Sequence, residues 1–166
     1  MKRKFDYQLL MEFKEILKTT NLERSYQEFV SLFSFLRVEL EKLMPEYNFQ
    51  GSIVENKMDY SYFQFTKDSL KKKGLKIVVV FVHRNFCFEI WLSGLNRKFQ
   101  CKYYDILKNI QIPFELTDDP NRKDYILKFP LKKDLDISNG EKLVDEIKNA
   151  ALKLLNYAES LEIKKI

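Results

Sequence analysis

Apolar residues recur at the spacing of an α-helix in four segments of the chain. The first segment covers about residues 5–18 and is followed by Thr20–Glu23, a capping-box sequence that ends one helix and starts the next. The second helix ends at Pro45, because proline disfavours helical backbone in the residue before it. Two further helices are predicted, one over about residues 95–110 and one that begins at a second capping box, Ser138–Glu141.

Between the second and third helices, and again before the last one, the pattern changes to the two-residue period of β-strands. Three hairpins are predicted, within residues 51–66, 75–92 and 112–129. Strands that are joined by tight turns are antiparallel. The pattern therefore predicts an α+β fold in the order ααββββαββα, with a mainly antiparallel sheet of four to six strands packed against helices.

Length and composition indicate one folded domain over residues 1–166. Hydrophobic residues make up 45% of the chain and charged residues 32%, a balance that excludes a chain disordered by composition. The longest apolar run, Ile77–Val82, is far shorter than the ~20 residues that cross a bilayer, so no membrane partner is expected. Polar residues interrupt the segment after Met1, and the absence of a signal-peptide core predicts a cytoplasmic protein.

The histidine and cysteine content argues against a metal site. His83 is the only histidine, and a zinc site needs further ligands at suitable spacing. Cys87 and Cys101 are the only cysteines, and without an export signal two reduced, buried thiols are favoured over a disulfide. No glycine-rich phosphate loop, nucleophile elbow or C-x-x-C motif is present. We therefore expect no metal and no cofactor, and metal binding through carboxylates alone stays open without a spacing signature to support it.

Glu89 is the residue that fits its surroundings least well. It lies in the strand Phe86–Leu92, whose hairpin partner Ile77–Val82 is apolar on both faces. Glu89 therefore meets an aliphatic neighbour in any register of the hairpin. A carboxylate in such a place has to be paired or hydrogen-bonded, and perturbed carboxylates are enriched at functional sites. The alternative is a half-exposed sheet face on which Glu89 pairs with an arginine or lysine.

The third helix carries a polar stripe beside its apolar one. Arg97, Gln100, Tyr104 and Lys108 are spaced i, i+3, i+7 and i+11. This helix follows the Glu89 strand directly, and Arg97 near its N-terminus is placed to hold an anion such as phosphate or carboxylate. The alternative is a solvated outer face, which every amphipathic helix has.

Two tyrosines extend the candidate site onto the sheet. Tyr60 and Tyr62 share one side of the second predicted strand with Gln64, and Trp91 shares a side with Glu89. Aromatic rings on a sheet face stack on bases and other rings in many single-strand binders. The alternative is that both tyrosines cover the edge of the core.

The charge distribution leaves nucleic-acid binding open. The chain has a formal charge of +5 and a pI of about 9.0, which is compatible with an anionic partner. The basic stretch Lys67–Lys76 is predicted to be the exposed loop between the first two hairpins, where lysines discourage edge pairing. Contact between these lysines and phosphate groups is the alternative.

Three stretches, Gly51–Ile53 (GSI), Met58–Phe63 (MDYSYF) and Phe88–Asn96 (FEIWLSGLN), together with Gln100 and Tyr104, resemble a family of small uncharacterised bacterial proteins. That family is a domain of unknown function, and the resemblance covers most of the chain from the second helix onward. It implies a bacterial cytosolic protein and supplies no activity, ligand or catalytic residue.

A weaker similarity concerns the restriction-endonuclease-like fold, whose core runs αβββαβ. The metal site of that fold needs an acidic residue on one strand and an acidic-x-Lys pair on the next. The matching residues here are Glu89-Ile90-Trp91, with Trp91 where lysine is required. The similarity therefore implies a degenerate site.

Three functions follow from these patterns. The leading hypothesis is a binding module for a small polar ligand or a protein partner. A hydrolase or nuclease-like enzyme that uses Glu89, with Asp59 as a second carboxylate, is the first alternative, and a nucleic-acid-binding protein is the second. The candidate ligand-binding residues are Glu89, Trp91, Tyr60, Tyr62, Arg97, Gln100 and Tyr104.

Overall fold

The structure is a computed structural model that describes residues 3–161. The chain divides into two compact units, Met1–Phe35 and Leu36–Ile166. The prediction of one domain over residues 1–166 stays a prediction. All residues of the candidate ligand-binding site belong to the larger unit.

The described residues form helices and strands in the predicted general order, and the α+β class is confirmed. The helices are α1 (Tyr7–Thr19), α2 (Leu22–Leu43), α3 (Asp68–Lys72), α4 (Arg97–Leu107) and α5 (Gly140–Ser160). The strands are β1 (Asn48–Asn56), β2 (Tyr60–Thr66), β3 (Leu75–Val82), β4 (Cys87–Gly94), β5 (Glu115–Leu116) and β6 (Leu127–Pro130). The third hairpin is shorter than predicted.

The smaller unit contains α1 and the first part of α2. The carboxylate of Asp6 caps α1 by accepting a 3.1 Å hydrogen bond from the Leu9 backbone N–H. Thr20 Oγ1 accepts from the Leu22 backbone N–H at 3.2 Å, so the predicted capping sequence does stand at the start of α2.

The larger unit contains one six-stranded sheet with the order β1-β2-β3-β4-β6-β5, and every neighbouring pair is antiparallel. In the register of β3 with β4, Val80 lies opposite Glu89 and Val78 lies opposite Trp91. The predicted aliphatic neighbour of Glu89 is therefore confirmed. The register also aligns alternate residues of three adjacent strands on one face.

The two faces of the sheet differ in polarity. One face carries fully buried apolar side chains, among them Phe63, Val79 and Ile90, and α5 packs against β3 and β4. The opposite face carries tyrosine, glutamine, lysine and serine side chains among its apolar ones. The polar groups on this second face define the candidate site.

The prediction of an exposed loop over Lys67–Lys76 is wrong. Residues 68–72 form α3, whose Leu70 is fully buried. Lys73 Nζ donates to the backbone oxygens of Ala158, Glu159 and Leu161 at the C-terminal end of α5. Carbonyls at a helix C-terminus lack partners within the helix and favour a nearby cation, which explains a lysine at this position.

Candidate functional site

A cavity of about 290 Å³ opens on the polar face of the sheet. Three strands, the first turns of α4 and the segment before β6 contribute side chains to its lining. Tyr60, Tyr62 and Gln64 reach it from β2 because side chains two residues apart share a face of a strand. Val78 and Trp91 continue the same face across β3 and β4.

The structure brings together five of the seven predicted site residues. Tyr60, Tyr62, Trp91, Arg97 and Gln100 line the cavity. The other two, Glu89 and Tyr104, are not among its lining residues.

Tyr104 lies outside the cavity because the lining involves only the N-terminal part of α4. Its ring is half-buried one turn further along the helix, with Lys108 Nζ 5.8 Å from the ring centroid. The predicted polar stripe therefore divides into a part that faces the cavity and a part that does not.

Aromatic rings form one wall of the cavity. The ring centroids of Tyr60 and Trp91 are 5.5 Å apart, and those of Tyr60 and Tyr62 are 6.0 Å apart. Tyr125 packs behind Trp91 at 5.2 Å. These separations are typical of favourable offset or tilted ring pairs. We call Tyr60, Tyr62 and Trp91 the aromatic wall.

Glu89 is hydrogen-bonded to this wall through Trp91. The residue is 7% exposed, and its carboxylate accepts a 2.7 Å hydrogen bond from Trp91 Nε1. Lys128 Nζ lies 4.0 Å from the other carboxylate oxygen and 2.9 Å from Glu115. The buried carboxylate is thus hydrogen-bonded and paired, as its position requires. Glu89 orients Trp91 through this hydrogen bond and does not itself line the cavity.

Arg97 joins α4 to the segment that precedes β6. Its guanidinium donates to the backbone oxygens of Pro120, at 2.8 Å, and Lys123, and to Asp124 Oδ1 at 3.1 Å. A planar guanidinium suits several acceptors at fixed angles, which a lysine does not reproduce. The 3.1 Å contact with Asp124 is an ion pair, so the carboxylate of Asp124 compensates the positive charge of Arg97.

Asp124 also connects this segment to the sheet. Its Oδ2 accepts a 3.0 Å hydrogen bond from the Tyr60 hydroxyl, and its backbone oxygen accepts one of 2.6 Å from Ser93 Oγ. Burial, followed by the hydrogen bond to Asp124, raises the pKa of Tyr60 to about 12. Tyr60 is consequently a neutral hydrogen-bond donor at physiological pH.

Gln100 closes the cavity at the start of α4. This side chain is 3% exposed; it accepts a 2.9 Å hydrogen bond from the Gly94 backbone N–H and donates one of 3.3 Å to Lys123 O. A side chain at Gly94 would place its Cβ 2.6 Å from the Gln100 backbone nitrogen and 2.8 Å from Asn96 O. Glycine is therefore required for the close approach of β4 and α4.

Lys76 lines the cavity although the sequence interpretation placed it in a basic loop. Its Nζ donates a 2.8 Å hydrogen bond to Gln64 Oε1, and burial lowers the pKa of this lysine. No ion pair joins Lys76 to a carboxylate of residues 3–161 within 4.0 Å. The β3–β4 register would have placed Lys76 at the site, because this residue lies opposite Ser93 and two residues from the Val78–Trp91 pair on the same face.

The enzyme hypotheses gain no support from the geometry. Asp59 lies in the turn between β1 and β2, and neither it nor Glu89 lines the cavity. In the described part of the chain, no group of three histidine, cysteine, aspartate or glutamate side chains is placed to hold a metal. His83 Nε2 lies 2.9 Å from Ser61 Oγ, and burial lowers the pKa of the imidazole. Hydrolysis or nuclease chemistry at Glu89 stays a prediction.

The basic stretch gives little support to nucleic-acid binding, because three of its lysines have internal roles. Lys67 pairs with Glu159, Lys73 binds the end of α5, and Lys76 lines the cavity.

Cys87 and Cys101 are free thiols, as expected, although only Cys87 is buried.

Comparison with known proteins identifies a family and no individual relative. The model of a family described as "Domain of unknown function (DUF7000)" matches residues 7–162. No curated protein and no solved structure matches the chain. The predicted resemblance to a domain of unknown function is confirmed, whereas the bacterial origin and the motif pattern stay predictions. Among the helices that the structure describes, none is long and apolar enough to span a membrane, and the cytoplasmic location stays a prediction.

Proposed function

Because the chain belongs to the domain-of-unknown-function family DUF7000, its role has to be inferred from the cavity, and we propose that the protein is a binding module for a small polar ligand. Ligand sites are typically concave, with apolar and aromatic walls and a few convergent polar groups. The cavity has this composition, and its volume suits a small molecule better than a folded partner.

One observation carries the proposal: two rings of the aromatic wall, Tyr60 and Trp91, line the cavity while their polar atoms are hydrogen-bonded within the protein. The Trp91 N–H binds Glu89 and the Tyr60 hydroxyl binds Asp124. These bonds fix the two rings without a ligand, so little conformational entropy is lost when a ligand arrives. Preorganised rings beside polar side chains that line the same cavity favour binding over a purely structural role.

Trp91 provides a direct test because it is the only tryptophan in the chain. We would titrate the protein with small metabolites grouped by charge. We would also titrate it with the small molecules that remain bound after native purification and are released when a sample of that protein is denatured. A ligand of the cavity is expected to change the emission of Trp91 and to raise the melting temperature, since binding to the native state stabilises it. If no compound and no released fraction changes either signal, the proposal is wrong.

A pair of tyrosine variants locates the binding. Tyr62→Ala removes a half-buried ring from the aromatic wall and is expected to weaken binding about tenfold, as the loss of a stacked ring does elsewhere. Tyr104→Ala makes the same change at a half-buried ring outside the cavity and should leave the affinity unaltered. Equal losses in both variants would show that the ligand binds elsewhere.

A further inference from the structure

We propose that the ligand of this cavity is a planar molecule with a single carboxylate, which lies against the aromatic wall and places its carboxylate beside Lys76 Nζ. This inference rests on the proposed ligand-binding function and specifies its chemical class.

The first support comes from the hydrogen-bonding capacity of Lys76. An ammonium group has three N–H donors, and the described residues supply one acceptor, Gln64 Oε1. The remaining two donors belong to a half-buried cation that lines the cavity. Partial burial of a charge without a countercharge is unfavourable, and an anionic ligand supplies both a countercharge and two acceptor oxygens.

The second support comes from the charge balance of the lining. Arg97 and Asp124 neutralise each other through their 3.1 Å contact. Burial lowers the pKa of Lys76 and the charge of Asp124 partly offsets this shift, but no carboxylate of the described lining forms an ion pair with Lys76 within 4.0 Å. The lining therefore has a net charge of +1, from two cations and one carboxylate. A ligand with one negative charge balances this charge, whereas a dianion leaves a net negative charge in the cavity.

The third support comes from the position of Lys76 relative to the rings. Lys76 and Val78 lie two residues apart on β3, a backbone separation of about 7 Å, and Val78 is opposite Trp91. Lys76 therefore lies next to the aromatic wall on the same face of the sheet. A ligand whose ring and carboxylate share one plane contacts both groups at once, with its ring offset or tilted against the wall.

Five probes separate the charge of the ligand from its shape. Benzoate has the proposed ring and charge, benzamide keeps the ring without the charge, and benzamidine reverses the charge. Cyclohexanecarboxylate keeps the charge without a planar ring, and acetate has the charge alone. Binding is followed through Trp91 emission and by calorimetry at neutral pH. Benzoate is expected to bind about tenfold or more tightly than each of the other four.

Substitutions at Lys76 test the role of the ammonium group. Lys76→Met is expected to weaken benzoate binding about tenfold and to leave benzamide binding within about twofold. Lys76→Arg keeps a cation and should retain the preference for benzoate, which also covers the case in which the methionine variant folds poorly. Lys72→Met alters an exposed lysine on α3 and serves as the matched control.

The outcomes distinguish this inference from the proposed function. If benzamide or benzamidine equals benzoate, and Tyr62→Ala abolishes the binding, ligand binding stands and the anionic class is wrong. If cyclohexanecarboxylate equals benzoate, the planar class is wrong. If no probe changes the Trp91 signal and the released small-molecule fraction also has no effect, both the inference and the proposed function fail.

Discussion

The indole Nε1 of Trp91 donates a 2.7 Å hydrogen bond to the carboxylate of Glu89, two residues earlier on β4. Both side chains lie on the polar face of the sheet, and both are nearly buried. The hydrogen bond holds the indole ring in one orientation and occupies its only donor. Glu89 thus acts on the cavity indirectly, by fixing a ring that lines it.

A double-mutant cycle tests the coupling between these two residues. Trp91→Phe removes the donor from a buried carboxylate and is expected to lower the free energy of unfolding by about 1–3 kcal/mol. Glu89→Leu removes the acceptor of this hydrogen bond and is expected to cost a similar amount. Because the two side chains contact each other, we expect a coupling energy of about 1 kcal/mol in urea unfolding. Additive effects would show that the hydrogen bond contributes nothing to stability.

Lys73 is expected to stabilise the end of α5. Lys73→Met removes three hydrogen bonds from a cation to backbone oxygens and should lower the free energy of unfolding by about 1–2 kcal/mol. Lys71→Met, at an exposed position on α3, should have almost no effect. Chemical denaturation of the two variants compares them directly, and equal losses would contradict the assigned role of Lys73.

His83 should make stability depend on pH near neutrality. Burial lowers the pKa of the folded imidazole below its ordinary value of 6.5, despite the opposing effects of Glu55 and Asp59. Between the folded and unfolded pKa values the unfolded chain binds more protons, so stability falls as the pH drops below about 6.5. His83→Gln has no such ionisation, and its stability relative to the wild type should rise from pH 7.5 to pH 5.5. A constant difference would contradict this prediction.

Arg97 is expected to restrain the segment between β5 and β6. Arg97→Lys keeps the charge but cannot reach the Pro120, Lys123 and Asp124 acceptors with one planar group. Amide hydrogen exchange of residues 118–124 should become severalfold faster, with little change in β3 and β4. Unchanged exchange in the segment would show that its order does not depend on Arg97.

The fold was largely predictable because most of it follows from local patterns. The alternation around Tyr60 and Tyr62 and the apolar strand opposite Glu89 depend only on the strand period, and the register confirms both. The wrongly predicted element is α3, where a lysine-rich sequence suggested solvent. Lys73 is held there by the end of α5, a contact 85–88 residues away that local spacing cannot reveal.

The same limit applies to the candidate site. Asp124 and Lys76 become part of the cavity through partners that are distant in sequence. Asp124 binds Arg97 across 27 residues and Tyr60 across 64, and Lys76 binds Gln64 across 12. The sequence predicted that Glu89 would need a partner, but not that the partner would be Trp91 of the same strand. Strand and helix periodicity thus predicted five of the lining residues, whereas Lys76, Asp124 and the individual roles required the tertiary contacts.

A crystal structure of the protein soaked with benzoate tests ligand binding in this cavity most directly. We predict density for the ring against Tyr62 and Trp91, with a carboxylate oxygen within hydrogen-bond distance of Lys76 Nζ. The Trp91–Glu89 and Tyr60–Asp124 hydrogen bonds should remain in place. An empty cavity at saturating benzoate, or benzoate bound only at another surface, would contradict the proposed planar carboxylate class of ligand.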